Sequence, residues 1–472
     1  MPEAEIKGFV IAATGSGTGK TTITLAILSY LAGKGYKTAP FKVGPDFIDP
    51  GHHTRIAGKT SVNLDSWMLT KDYNQKLFHE NIKGFDLAVV EGVMGLFDGY
   101  DGLSESGSTA EMAKWLNLPV VLVVSAKGKA RSAAAIVKGF EDFDKDLTLA
   151  GVIFSKTGSP RHYDYLKKAV EQNCRTKCLG HIPKDDSIAM PERHLGLVTA
   201  DEQVFDNHAL SRLSAMVRDH IDMEARINSL KSFDMIQKQE KMDAPACPDR
   251  TGPVIAVARD KAFCFYYPDN LESLKKYGAK IIEFSPLNND RLPENIDGIY
   301  LGGGYPEVYA EELSKKTGLL KQIKEFSTRG MPIYGECGGF MFLCKNLSAM
   351  DGIHSYPMAG CFDLDVRMSR RLRSLGYREI TLTRDTIIGK KGMILRGHEF
   401  HYSSLQNPEI NASGVYQVTA RDGQALSLKG YQVFNTLGSY LHVHFGSNEA
   451  CAKEFVKACQ GFKDQKHVCR TA

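Results

Sequence analysis

The feature that most constrains the fold is an alternation along the chain. Short β-rich runs at 9–13, 38–43, 87–91, 120–125, 150–155 and 179–183 are separated by stretches with apolar residues at three- and four-residue spacing, such as Ile23, Ile27, Leu28 and Leu31. Strands alternating with helices build a parallel, doubly wound sheet covered on both faces. Such sheets bind ligands beyond the carboxyl ends of their strands, so the loops after the strands are where chemistry is expected. A second alternation follows the polar, lysine-rich and Pro-punctuated run at 227–253, with strands expected at 254–258, 280–284, 297–301 and 332–335, and further ones near 397–401 and 431–444. At 472 residues the chain is too long for one ordinary core. It reads as two α/β domains, 1–225 and 253–460, joined by a linker at 226–252.

The bulk properties exclude several classes. The net charge is +4, and Lys and Arg are spread along the chain, so no basic patch points to nucleic acid. The N-terminus enters a strand pattern without a basic-then-apolar signal segment. The longest apolar runs, such as 118–124, fall far short of the roughly 20 residues that span a bilayer. Ten cysteines are scattered, and only Cys174 and Cys178 lie close together, with no second pair to complete a zinc site. A cytoplasmic protein with reduced thiols and neither nucleic-acid nor membrane partners is expected.

After the first strand comes Gly15-Ser16-Gly17-Thr18-Gly19-Lys20-Thr21-Thr22, then a helical pattern. Glycines let successive N–H groups turn toward phosphate oxygens, and the helix N-terminus adds its dipole. Lys20 would reach the outer phosphates of ATP and the Thr21 hydroxyl would meet Mg²⁺. Thr14 stands where the common loop has its first glycine. The second strand ends in Lys42, followed by Asp46 and Asp49 on a Gly/Pro loop. These two acids either face the phosphate loop or cap a turn. Glu91, ending the third strand, is the expected second Mg²⁺ partner, with Asp98 a further ligand or a plain loop residue. Amidation of a carboxylate passes through an acyl phosphate, and the anions that meet there need Mg²⁺ and lysines such as Lys20 and Lys42.

In the second half, a strand runs into Gly335-Glu336-Cys337-Gly338-Gly339. A nucleophile flanked by small residues between strand and helix is an elbow, here with sulfur. The helix N-terminus favours the thiolate. Upstream, Gly302-Gly303-Gly304 supplies N–H groups for an oxyanion hole, and downstream His442 and His444 offer a base. A lone buried cysteine is ordinarily a small hydrophobe. Glycines, oxyanion candidate and histidines together favour the nucleophile.

The stretches FKVGPDFIDPGHH, EGVMGLFDG, KARSAAAIVKGF, PERHLGLV, IYLGGGYPE, YGECGGFMFL and SYLHVHF resemble the cobyrinate amidase family, which carries a class I glutamine amidotransferase domain. The resemblance covers 5–225 and 253–460 and implies an N-terminal, dethiobiotin-synthetase-like P-loop domain for ATP and Mg²⁺. It also implies a C-terminal glutaminase with a Cys–His pair instead of a full triad. Carried over, Cys337 forms the γ-glutamyl thioester, His442 activates it, and His444 stands where related glutaminases have an acid. Gly303 or Gly304 and the N–H of Gly338 hold the oxyanion. Lys20 and Thr21 match the phosphate loop and Glu91 the Mg²⁺ carboxylate. Asp46, Asp49 and Asp98 match acidic positions serving the synthetase site, with Asp46 also a metal candidate. Lys42 resembles a substrate-contacting lysine, and 180–183 falls at the adenine pocket. Ser125, Ser155 and Lys156 depart from the family's usual Asp, Asn and Arg, which leaves the purine preference open.

The activity so implied is ATP-dependent amidation of the a and c acetates of cobyrinate, with ammonia passing from Cys337 to an acyl phosphate. The implied partners are ATP, glutamine and a tetrapyrrole carboxylate, with a homodimer left open. The same chemistry on nickel-sirohydrochlorin or hydrogenobyrinate stays open, because the motifs do not read the ring metal. From a different class comes a P-loop ATPase switch. Such proteins often carry an early lysine where this chain has Gly15 and Ser16, and they lack a glutaminase domain. Arg193 and His194 are candidates for substrate carboxylates. Phe47, Ile48, Leu96 and Phe97 either pack on a macrocycle or belong to the core.

Overall fold

Seven strands form one sheet in the first half: β1 (Lys7–Ala13), β2 (Thr38–Val43), β3 (Val62–Leu64), β4 (Leu87–Glu91), β5 (Val120–Ser125), β6 (Leu149–Thr157) and β7 (Cys178–Pro183). Their order is β3-β2-β4-β1-β5-β6-β7, and every pairing is parallel. β2, β3 and β4 are buried along their whole length, including the polar Lys42, Asn63 and Glu91 that they carry. The three residues of β3 are too few to show a period, and the sequence reading passed over them. The computed structural model describes residues 6–184, 192–193, 196–197, 207–230, 252–349, 351, 353–406, 414–427 and 429–471. The chain divides into two compact units, Met1–Lys238 and Gln239–Ala472.

Helix α1 (Lys20–Gly33) starts directly after the phosphate loop, where Gly17 (φ 71°) and Gly19 (φ 93°) take left-handed conformations costly for other residues. Helix α2 (Ile48–Ala57) begins inside the stretch read as a Gly/Pro loop. Asp46 Oδ1 accepts from Ile48 N at 2.8 Å and Asp49 N at 3.3 Å, so Asp46 turns the chain into this helix. Ile227 and Leu230, placed in the linker by the sequence, are buried in a core with Ile27, Leu31 and Val217. Most of the expected linker, 231–251, lies outside the described residues, as does His194. Arg193 falls on a two-residue strand. Leu96 is fully buried, and Phe97 packs on Phe140 and Phe143.

The second unit is built on a six-stranded sheet in the order Lys280–Phe284, Val254–Ala258, Gly298–Leu301, Ile333–Glu336, Thr436–Ser439 and Tyr431–Val433. All pairs are parallel except the last. The stretch 431–444, expected as a strand, is three short ones: Tyr431–Val433, Thr436–Ser439 and His442–Val443. Phe434, at φ 51°, turns the chain between the first two. The α/β alternation also gave no warning of two further sheets lying between Leu343 and the chain end, one of four strands with mixed pairing and one of five strands wholly antiparallel. Their strands, such as Asp365–Met368 and Ser374–Leu382, alternate buried with open positions and carry many charges, which hides them among loop-like sequence. No helix among the described residues is long and apolar enough to cross a membrane.

Candidate active site

The first cluster lies where the carboxyl ends of β1, β2 and β4 meet. Register places Lys42 opposite Glu91 on neighbouring strands, and both side chains are buried. Glu91 Oε1 accepts from Lys42 Nζ at 3.1 Å and from Thr21 Oγ1 at 2.8 Å, while Oε2 lies 2.7 Å from His53 Nε2. Lys42 also pairs with Asp49, and with Asp46 at 3.6 Å. Thr21 Oγ1 reaches Asp49 Oδ2 at 3.3 Å. The sequence thus named a set that the fold assembles, with Asp49 and not Asp46 beside Thr21. Asp98 is not part of it: Asp98 Oδ2 accepts from Gly95 N at 3.0 Å and closes its own loop.

The charges respond to this crowding. Burial disfavours the Glu91 carboxylate, but Lys42 and His53 outweigh it and hold Glu91 well below the usual range. Burial also disfavours the Lys42 ammonium, yet Glu91, Asp49 and Asp46 keep it charged. Burial and then Asp46 push Asp49 well up, as expected for two carboxyls this close. Burial, then Lys42, lowers Lys20 to about 8, and its Nζ donates to Met94 O at 3.1 Å. Phosphate oxygens arriving at this loop would favour its charged form.

Thr18 Oγ1 bonds Gly15 O at 2.9 Å and Thr22 sits on the first turn of α1, so Gly15, Ser16, Gly17, Thr18 and Gly19 form one tight loop. The departing residues brace it: Ser155 Oγ donates to Thr18 O, and Lys156 Nζ to Gly17 O at 2.7 Å. Residues 180–183, implied at the adenine pocket, carry internal packing, with His181 stacked on Tyr163 at 4.3 Å.

Mg²⁺ takes hard oxygen donors, commonly one or two carboxylates together with substrate phosphates. Thr21 Oγ1, Glu91 Oε1 and Asp49 Oδ2 meet that requirement, and Asp49 Oδ1 is buried without a hydrogen-bond partner among the described residues. No group of three or more His, Cys, Asp or Glu among the described residues is arranged to hold a metal ion by itself. The donor set therefore fits a cation that enters with the nucleotide.

The second cluster surrounds Cys337. Its backbone sits at φ 47°, ψ −104°, a conformation rare for any residue with a Cβ and characteristic of a strained elbow. Cys337 N donates to Ser439 O at 2.8 Å, and its Sγ lies 3.8 Å from Phe400 O. A methyl group at Gly338 would stand 3.0 Å from Gly304 N, and one at Gly303 would overlap His442 Cε1. The residue after Cys337 thus packs on the 302–304 loop, and that loop packs on His442, so the candidate nucleophile, oxyanion glycines and base share one tightly packed region. His442 is brought there by a two-residue strand paired with Ile394–His401, where it lies opposite His398 and stacks on it at 4.8 Å. Burial, then His401, lowers His442 to about 3, leaving a neutral imidazole able to accept a proton. Burial and then Glu307 push the Cys337 thiol up. His444 packs on Tyr267 at 4.6 Å, and its Nδ1 accepts from Gly446 N.

We predict that Gly303→Ala lowers glutamate release from glutamine about a hundredfold, the cost of displacing a catalytic group by roughly an ångström. Unchanged release would show that His442 is not the base.

Several residues escaped the sequence reading. His53 sits within a quoted motif, yet only the fold shows it on Glu91. Glu336, next to the nucleophile, accepts from Val443 N at 3.0 Å, Tyr334 Oη at 2.8 Å and Tyr300 Oη at 3.0 Å. It ties together the strands that lead to His442, Cys337 and the 302–304 loop. Glu399 is held by His401 Nε2 at 2.6 Å, Ser374 Oγ at 2.8 Å and Arg378 Nε at 2.9 Å.

Burial raises Glu336 to about 7 against its three donors. A carboxyl raised on folding holds its proton longer than in the unfolded chain, so stability falls as pH rises from 4.5 to about 7. Glu336→Gln should flatten that fall, read as Tm against pH. An identical slope in the variant would show that Glu336 does not titrate there.

Comparison with known proteins places each half in a family. Residues 9–198 match the model of the CobQ/CobB/MinD/ParA nucleotide binding domain, and residues 254–450 that of the CobB/CobQ-like glutamine amidotransferase domain. A cobyrinate a,c-diamide synthase of Caldanaerobacter subterraneus subsp. tengcongensis is 41% identical over 456 residues, 96% of this chain and 98% of that protein. The chain belongs to the cobyrinate a,c-diamide synthase family. The Salmonella typhimurium member is 42% identical over 459 residues, again 96% of this chain and 98% of its own length. The member from Thermoplasma volcanium is 41% identical over 463 residues. Within this family the chain is a glutamine-dependent ligase, with a P-loop nucleotide-binding domain followed by a glutamine amidotransferase domain.

Proposed function

We propose that the chain amidates the a and c acetate carboxylates of cobyrinate in turn, using one ATP and one glutamine for each. The observation that carries this reading is the pairing of two built sites in a chain that matches cobyrinate a,c-diamide synthases over almost their full length.

In the glutaminase, His442 takes the Cys337 proton as sulfur attacks the side-chain amide of glutamine. The tetrahedral oxyanion meets N–H groups of Gly338 and of Gly303 or Gly304. Ammonia leaves, and water hydrolyses the γ-glutamyl thioester. In the synthetase, the glycine loop and Lys20 hold the triphosphate of ATP. Mg²⁺, held by Thr21, Glu91 and Asp49, would neutralise phosphate charge when bound. Lys42, which lies among Asp49, Asp46 and Glu91, would meet the attacking carboxylate. The acyl phosphate so formed accepts ammonia and releases phosphate.

The test is ATP- and glutamine-dependent mass change on a panel of cobyrinate, hydrogenobyrinate and nickel-sirohydrochlorin. Two successive replacements of OH by NH₂ on cobyrinate are expected. Modification of nickel-sirohydrochlorin alone would move the enzyme to a different tetrapyrrole and leave the chemistry intact.

A further inference from the structure

Three carboxylates act electrostatically on the Cys337 thiol: Glu307, Glu399 and Glu336, and all three raise it. Glu399 and Glu336 are each satisfied by three donors, as described above. Glu307 is not: its Oε2 is buried and has no hydrogen-bond partner among the described residues. Burial raises this carboxyl to about 7, and no Lys, Arg or His contributes to its shift. Its neighbour Pro306 packs against the elbow, because a methyl group at Gly338 would lie 2.8 Å from Pro306 Cδ. A buried carboxyl oxygen without a donor is costly, and beside a nucleophilic sulfur it opposes the thiolate. The arrangement makes chemical sense if a cation arrives with the substrate. Glu307 is also absent from the charges that shift His442, which are His401 and Glu399, so it does not replace a triad acid.

We propose that Glu307 receives the α-ammonium group of glutamine and so makes the glutaminase selective for an amide that carries an α-amino group. The assignment rests on the glutaminase reading above. Glutamine brings one cation into the pocket at the far end from its amide, and Glu307 supplies the unpaired acceptor. A charge-assisted hydrogen bond of this kind sets specificity as well as affinity.

The test compares glutamine with glutaramate, which has the same amide and carboxylate but no α-amino group. Hydrolysis of both is followed with the full chain, wild type and Glu307→Gln, and the ratio of their kcat/KM values is taken. In the variant this ratio is expected to fall about ten- to a hundredfold, mainly through a higher KM for glutamine. A general folding defect lowers both rates and leaves the ratio alone, so an unchanged ratio overturns the proposal whatever the absolute rates. A wild-type chain that releases no glutamate from glutamine would instead refute the glutaminase reading itself. Glu307→Asp, which keeps the charge on a shorter stem, should recover part of the ratio. An Asp variant that is no more selective than the Gln variant also counts against Glu307 as the acceptor.

Discussion

Cys337→Ala is expected to abolish glutamine-dependent amidation, by at least about ten-thousandfold, while amidation with high ammonium continues. The size follows from chemistry, because no other group at the site can form the thioester. The variant is also a clean one. Alanine keeps the Cβ, so the strained φ of 47° and the bond from residue 337 N to Ser439 O impose the same demands as before. The neighbouring Gly338 and Gly304 retain their contact. Ammonium rescue is expected because the phosphate loop, Lys42 and Glu91 belong to the other compact unit. If ammonium does not restore amidation, the two-site account is wrong or the two halves cannot work apart.

Glu91→Gln should do the opposite: glutamate release persists, and amidation falls at least about a hundredfold with either nitrogen source. Glutamine has the shape of glutamate but not its charge. Glu91 receives Thr21 and Lys42 on one oxygen and lies against His53 on the other, all within 3.1 Å. Lys42 and His53, outweighing burial, keep Glu91 ionised throughout the working pH range. Removing that charge takes away a ligand suited to Mg²⁺ and leaves Lys42 with only Asp49 and Asp46 as anionic partners. Amidation at the wild-type rate would exclude Glu91 from the metal site. Glutamate release measured in the same preparation separates this chemical loss from unfolding.

Much of each site was legible because its requirements are local. A phosphate loop needs glycines in sequence order, and Gly17 and Gly19 do take the left-handed conformations that the pattern predicts. A nucleophile elbow needs small neighbours, and Cys337 is flanked as expected. Other assignments depended on which way a loop folds. Asp46 and Asp49 are three residues apart, yet one closes the turn into α2 and the other turns to Thr21. Asp98, equally acidic and equally close to a strand end, closes its own turn. Nothing in the spacing separates the three.

The sequence by itself determined the two α/β halves, the phosphate loop with Lys20 and Thr21, the acid that ends β4, and the candidates proposed as nucleophile and base. These follow from backbone period, glycine placement and side-chain chemistry, all encoded within a few neighbouring residues. Only the tertiary structure decided which groups complete the sites. His442 lies more than a hundred residues from Gly303 in sequence and is set against it by the pairing of His442–Val443 with Ile394–His401. Glu336 binds strands brought together from across the second unit, and Glu307 is set apart by the lack of a donor among the described residues for its buried oxygen. A buried carboxyl takes its role from the partners that surround it, and those partners come from distant parts of the chain.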